Sequence, residues 1–393
     1  MASVTLPQGR YIGNSEDCIS SFHGIPYAQP FKRFQLPQPP IPSNEEFKAT
    51  EFSYNSPQNP SRLDAYLFIP DPPAKYDEAA ASVLSVYTPS LHNAEDSRLR
   101  PVIVWIHGGA FLTGGSQLSG YQGTLLARDA DAVVVTINYR LGALGFLYHP
   151  GRSIDKNTFE WVRANISAFG GDPGNVTSFG QSAGAYITQT LLELRPDLLE
   201  RGILQSSPAA IENPPELVRN FIRTTMAPFA PTATFGPGLS PDDKSTSTGQ
   251  TALASGGKKQ ILVGWTKTDG LIFSQIGAPL GTPVSDLKDV TDELFRDGSK
   301  AIVEKWKNDG HDVTMFEMNW SPPHLELGPT HCTDLPLVFG TETWGASSFL
   351  SEDSTHEWKE RGKRWRQALG RFVENGTKIE TTDGIEVFHC ICP

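Results

Sequence analysis

The sequence predicts an α/β protein with a mostly parallel central sheet flanked by helices. Three observations carry that reading. Short apolar, β-branched runs recur along the chain, helical patterns stand between many of them, and no internal repeat or sharp break in composition divides the 393 residues. Strands that alternate with helices build parallel sheets with both faces covered. The expectation is a single domain over residues 1–393.

The strand candidates are VLSVYTP (83–89), PVIVWIH (101–107), AVVVTINY (132–139), NVTSFG (175–180), RGILQSS (201–207), QILVGW (260–265) and VTMFEM (313–318). They are largely continuous apolar runs rather than alternating ones, as strands covered on both faces require. Helical candidates are NTFEWVRANISAF (157–169), AYITQTLLEL (185–194) and TDELFRDGSKAIVEKWKNDG (291–310). The segment 354–375 reads as a C-terminal helix. Ser354 and Glu357 fit a capping box, and Trp358, Trp365, Leu369 and Phe372 share one face at helical spacing. Its basic residues, Arg361, Lys363, Arg364, Arg366 and Arg371, read as a solvated outer face. The first 60 residues are polar and rich in proline and are expected to wrap the sheet. Residues 230–259 read as a loop or short insertion.

Hydrophobic residues make up 38 % of the chain and charged ones 20 %, the balance of a globular enzyme rather than a disordered chain. A formal net charge of −11 argues against sequence-independent binding to nucleic acid, which needs clustered Lys and Arg. No stretch approaches the roughly 18 apolar residues of a membrane span. The opening MASVTLPQGRYIG has no charged segment followed by an apolar run, so no secretory signal is expected. Cys18, Cys332, Cys390 and Cys392 do not make a disulfide framework, and a cytoplasmic location with reduced thiols is the expectation. His389, Cys390 and Cys392 supply three donors at most where structural zinc wants four, so the tract reads as a terminal strand or tail and no metal is expected.

Gly180-Gln181-Ser182-Ala183-Gly184 fits G-x-S-x-G between a strand-like and a helical segment. A serine on so sharp a turn is exposed, and the flanking glycines let strand and helix approach. The helix N-terminus beneath it favours developing negative charge. The pentapeptide alone fits a nucleophile or a tight structural turn. VIVWIHGGAF (102–111) adds a strand running into His107-Gly108-Gly109-Ala110-Phe111. Acyl transfer passes through a tetrahedral oxyanion that needs preorganised N–H donors, and the N–H groups of Gly108, Gly109 and Ala183 are the expected ones. A phosphate cradle is the rival reading of this glycine-rich loop, but no Gly-Lys-Ser/Thr follows. A serine needs a histidine to take its proton and an acid to orient that histidine, in the chain order Ser, Asp/Glu, His. Asp269, after QILVGW, stands where the acid is expected. His311, His324, His331, His356 and His389 all lie downstream, and His331 sits on a loop after 313–318, which suits a base that reaches across strand ends.

Taken together, these residues resemble the type-B carboxylesterases, the α/β-hydrolase family that includes cholinesterases and bacterial and fungal esterases. The matching stretches include FHGIPYAQPFKRFQLPQPP (22–40), PVIVWIHGGAF (101–111), INYRLGALGFL (137–147), WVRANISAFGGDPGNVTSFGQSAG (161–184), ILVGWTKTDG (261–270) and HCTDLPLVFG (331–340). The resemblance implies Ser182 as nucleophile, Gly108, Gly109 and Ala183 as oxyanion donors, and His331 as base. It puts the acid at Asp269, where the family usually has Glu, with Asp334 as the fallback. Asp is one methylene shorter, so its loop must sit closer. Cys332 replaces the family's usual glycine, and EAAAS (78–82) replaces the segment carrying its usual first disulfide. The chain is short for the family, which implies a reduced cap over the site. Phe111, Trp265, Phe273 and Trp344 are the expected wall residues. The implied function is a serine hydrolase that cleaves small-molecule carboxylic esters through a Ser-His-Asp triad and an acyl-enzyme, with no cofactor. The alternative is a triad-dependent acyltransferase, lactonase or cyclase acting on a bulky substrate. A silent binding module is disfavoured because the serine is present.

Overall fold

A computed structural model describes residues 1–30, 33, 35–61, 63–67, 72–89, 98–146, 157–209, 257–277, 288–350, 355–382 and 384–388. Its strands are β1 (Ala2–Leu6), β2 (Gly9–Glu16), β3 (Ile19–Pro26), β4 (Glu46–Lys48), β5 (Tyr54–Asn55), β6 (Lys75–Tyr76), β7 (Val83–Thr88), β8 (Arg100–Ile106), β9 (Val133–Ile137), β10 (Gly171–Gln181), β11 (Arg201–Gln205), β12 (Gln260–Thr266), β13 (Asp312–Met318) and β14 (Ile385–Phe388). Among the described residues twelve of them form one sheet, ordered β1-β2-β3-β7-β9-β8-β10-β11-β12-β13-β14, with β4 beside β2. The six central strands from β9 to β13 run parallel. Antiparallel strands extend both ends. This is the α/β-hydrolase fold: a mostly parallel central sheet flanked by helices.

The sheet is covered on both faces, which is why its strands read as unbroken apolar runs. In β8, Val102, Val104 and Ile106 enter one core, while Ile103 and Trp105 enter the other. The first core packs helices Asn157–Asn165, Ala183–Leu194 and Gly298–Asn308 through Trp161, Leu191 and Trp306. The second packs Thr124–Ala130, Leu335–Phe339 and Thr355–Asn375 through Leu126, Leu337 and Trp365. Trp358, Trp365, Leu369 and Phe372 are all buried, as the spacing of the last helix predicts.

Several expectations need correction. The N-terminal residues do not merely wrap the sheet; β1, β2 and β3 are part of it, with alternate residues such as Val4, Leu6 and Tyr11 turned inward. The helix of 291–310 opens with a π-helical stretch, Thr291–Asp297, before turning α-helical. Two of the basic residues in the last helix are buried. Arg366 donates to Asp129 Oδ2 and Leu337 O, both within 2.9 Å. Arg361 donates to Glu357 Oε1 and lies 5.9 Å from the Trp320 ring. Ser354, residues 230–256 and the tract His389, Cys390 and Cys392 lie outside the described residues. Among those described, no helix is long and apolar enough to cross a membrane.

From β8 the chain crosses to β9 on one side and then to β10 on the other. Such a reversal opens a crevice at the C-terminal strand ends, where ligands of open α/β sheets bind. Gly184 fixes how close the β10 elbow comes to β8, because a Cβ there would stand 2.0 Å from Ile106 O. Gly184→Ala is therefore expected to push the helix Ala183–Leu194 off the sheet at a cost of about 1–3 kcal/mol. A lower midpoint of thermal unfolding, with a parallel fall in ester hydrolysis, is the outcome to check.

Candidate active site

Ser182 stands between β10 and the helix Ala183–Leu194, at φ 56° and ψ −124°. A residue with a Cβ rarely adopts that region, and holding it there costs on the order of 1–3 kcal/mol. Neighbouring backbone enforces it: Ser182 N donates to Gln205 O at 2.9 Å, and Tyr186 N to Ser182 O at 3.1 Å. A Cβ on Gly180 would stand 2.1 Å from Gly184 O, so both motif glycines are needed for the turn to close. The serine side chain is left half-buried, and among the described residues its hydroxyl has no hydrogen-bond partner.

The His331 Nδ1 atom lies 2.5 Å from Asp269 Oδ1. Asp269 opens a 3-10 turn, Asp269–Ile272, directly after β12. Its Oδ2 accepts the Thr266 N–H at 3.0 Å, and its carbonyl accepts the His331 N–H at 3.2 Å. The shorter aspartate thus reaches the ring because its own backbone is bonded to that of the histidine. Both side chains are buried, at 0 % and 2 % exposure, so little water competes for the contact. A carboxylate can only accept, so Nδ1 carries the ring proton and Nε2 offers a lone pair. Phe273 and Phe295 pack on the ring at 5.4 and 5.0 Å. Nε2 faces the side chain of Gln181 at 3.2 Å.

Asp334 is not the carboxylate that meets His331. It precedes the helix Leu335–Phe339, and its buried Oδ1 has no partner among the described residues. Burial first, then the charge of Asp269, pushes its carboxyl up to about 7. His311 is remote, accepting the Lys259 N–H beside the opposite ends of β12 and β13. His389 and the side chain of His356 fall outside the described residues.

The end of β8 abuts the elbow. A Cβ on Gly108 would stand 2.7 Å from Gln181 Oε1 and 3.0 Å from Ser182 Cβ, and Gly109 has φ +107° with Thr113 O 2.1 Å from its would-be Cβ. Among the described residues, the N–H groups of Gly108, Gly109 and Ala183 have no acceptor. The turn is braced from behind by two residues whose part the motif does not reveal. Tyr139 donates its hydroxyl proton to His107 O at 2.7 Å, and its ring stacks on His107 at 4.3 Å. His107 Nδ1 donates to Gly108 O at 2.7 Å, and burial pushes the imidazole down to about 4, so it stays neutral.

Of the expected wall residues, Phe111 packs with Ala183, Tyr186 and Phe146 beside the elbow, and Phe273 packs on His331. The two tryptophans belong to the core instead. Trp265 is 3 % exposed and donates its indole N–H to Glu317 Oε2, and Trp344 is wholly buried and donates to Gly120 O. Gln181, Phe295, Phe146 and Tyr186 were not singled out from the sequence. Gln181 is the free position of the motif, and the aromatics read as ordinary helical core.

A serine on a strand-to-helix elbow, beside the C-terminal ends of parallel strands, is the arrangement of the α/β-hydrolases. A sequence model described as the carboxylesterase family matches residues 1–223. Over 95 % of this chain and 93 % of the relative, the sequence is 31 % identical to a probable N-octanoylanthranilate hydrolase of Rhodococcus erythropolis. It is 28 % identical to the para-nitrobenzyl esterase of Bacillus subtilis over 95 % of this chain and 90 % of the other. The solved structure of a Geobacillus stearothermophilus carboxylesterase covers 95 % of this chain with 90 % of its own, at 26 % identity and a TM-score of 0.73. The chain belongs to the carboxylesterase family. It is a serine hydrolase of carboxylic esters.

The buried Asp334 generates a stability prediction. Its proton is held more tightly in the folded state than in the unfolded chain, where the carboxyl titrates near about 4. The stability it contributes is therefore fully present below that pH and is lost as pH rises through about 7. Asp334→Asn stays neutral throughout. Its thermal midpoint is expected to exceed that of the wild type by several degrees in mildly alkaline buffer and to converge with it in acid.

Proposed function

We propose that Ser182 is the nucleophile, His331 the general base and acid, and Asp269 the group that orients the imidazole. The N–H groups of Gly108, Gly109 and Ala183 form the oxyanion hole in this reading. The observation that carries it is the buried 2.5 Å contact between His331 Nδ1 and Asp269 Oδ1, with Nε2 turned toward the residue next to Ser182. Ser182 Oγ attacks the ester carbonyl as its proton passes to His331 Nε2. The negative charge that gathers on the carbonyl oxygen is met by backbone donors that no described residue uses. The imidazolium, held by Asp269, gives its proton to the departing alkoxide, leaving an alcohol and an acyl-serine. Water then attacks the acyl carbonyl, with His331 again taking the proton, and the acid and free serine are regenerated.

We infer an apolar, aromatic-bearing ester as the substrate class. Phe146 beside the elbow and Phe273 beside His331, both only partly buried, would pack such groups, with Phe111, Tyr186 and Phe295 buried behind them. The names of the para-nitrobenzyl esterase and the anthranilate-derivative hydrolase point the same way. One catalytic domain in a reducing, cytoplasmic setting belongs to this reading; Cys18 is an exposed free thiol.

Ser182→Ala and His331→Ala are expected to lower kcat on p-nitrophenyl esters by on the order of 10⁶. Ser182→Ala should also abolish fluorophosphonate labelling, and labelling that persists in it would move the nucleophile elsewhere. Gly109→Ala, which cannot keep the φ of its turn, is expected to cost on the order of 10²–10³ in kcat with KM little changed. Steady-state kinetics on folded protein read both.

A further inference from the structure

Gln181 lies between the two halves of the site, and the mechanism above gives it no part. Its side chain is 1 % exposed. The amide nitrogen has two N–H groups and two neighbours to receive them, His331 Nε2 at 3.2 Å and Cys332 Sγ at 3.4 Å. The amide oxygen points the other way, 2.7 Å from where a Cβ on Gly108 would stand. Because Asp269 fixes the proton on Nδ1, the Nε2 lone pair is the one that must receive the serine proton. In the structure an amide N–H holds it instead.

We propose that Gln181 is a positioning residue that latches the base: its amide N–H occupies His331 Nε2 in the free enzyme and yields as the Ser182 proton is transferred. This rests on the assignment of Ser182 and His331 given above. The latch adds to the restraint of the ring, since Phe273 and Phe295 pack against it at a tilt from one side, Asp269 holds Nδ1 and Gln181 holds Nε2. A bond between two neutral groups at this distance is readily exchanged for one from a hydroxyl, because Nε2 gains a donor as it gives one up. The protonated ring is another matter. Nε2–H then faces an N–H, and two donors repel. Either the amide turns to present Oε1, or the ring moves toward the leaving group. The orientation of Gln181 and the protonation of His331 are thereby coupled.

Other ionisable groups face this cluster, and a substitution at 181 leaves them in place. Asp269 bonds Nδ1, and Asp334 lies behind it with a carboxyl pushed up to about 7 by burial. The Cys332 thiol is pushed well up by burial and stays protonated. Tyr121 is likewise pushed up by burial, and His107 is held neutral. On the turn that carries Phe295, Arg296 is paired with Asp292 at 2.5 Å.

The test compares wild type, Gln181→Met and Gln181→Glu by kcat/KM for p-nitrophenyl acetate along the acid limb of the pH profile. Fluorophosphonate labelling and thermal unfolding are measured on each protein. Gln181→Met removes a donor to the unprotonated ring, so the ring protonates more easily and the limb moves to higher pH by about half a unit. Gln181→Glu offers a carboxylate to the imidazolium and moves it further, by about one unit or more. A packing role alone would lower the plateau and leave the midpoint where it was. Midpoints that coincide with wild type in variants that still label at Ser182 overturn the latch and leave the triad standing. Activity that survives in His331→Ala overturns the assignment beneath it. If Gln181→Glu does not fold, the near-isosteric Gln181→Met decides alone.

Discussion

The structure depends on one close approach of backbone to backbone. Gly180, Gly184 and the carbonyl of Ile106 meet at distances that leave no room for a single added carbon. That contact presses the elbow of β10 against the end of β8. Ser182 and the Gly108–Gly109 turn thereby share one rim of the sheet, although they lie more than 70 positions apart. A reacting carbonyl can touch a hydroxyl and backbone donors at once only where two such turns converge. The positive φ of Ser182 is the local cost, and the dense packing on both faces of the sheet offsets it.

The second half of the site is electrostatic. Asp269 is stripped of water, yet its two oxygens and its carbonyl are committed to Thr266, to the His331 ring and to the His331 backbone. A buried carboxylate is tolerable only when hydrogen-bonded in this way. Asp334 shows the contrast. It is equally buried, one of its oxygens has no partner among the described residues, and burial followed by the charge of Asp269 makes it hold its proton to higher pH. Of two carboxyls in one small volume, the one facing the imidazole is the one whose oxygens are both hydrogen-bonded.

Much of this was legible in the residues. Continuous runs such as VIVWI read as strands covered on both faces, and they form strands of the central sheet. Asp269 and His331 were singled out by their loops and by family resemblance, and they do meet. The rest needed three dimensions. The N-terminal strands alternate rather than run apolar, and proline-rich neighbours mask them. Arg366 looks like any surface arginine until Asp129, 237 positions away, closes on it. Trp265 and Trp344 carry no sign in the sequence of which side they face, and each sits in the core with its indole N–H bonded. Gln181 occupies the free position of G-x-S-x-G, where the pattern is silent, so its contact with the imidazole shows only in the fold.

The chain order of the sheet has a consequence for when this enzyme becomes an enzyme. The Ser182 elbow follows β10, but Asp269 and His331 come after β12 and β13, which join the sheet through β11. On the roles proposed above, a partly folded or partly synthesised chain that has Ser182 in place is still chemically silent. On the same roles, turnover needs the last parallel strands in place, and both cores draw on those strands through Val263 and Met315 on one face and Leu262 and Phe316 on the other.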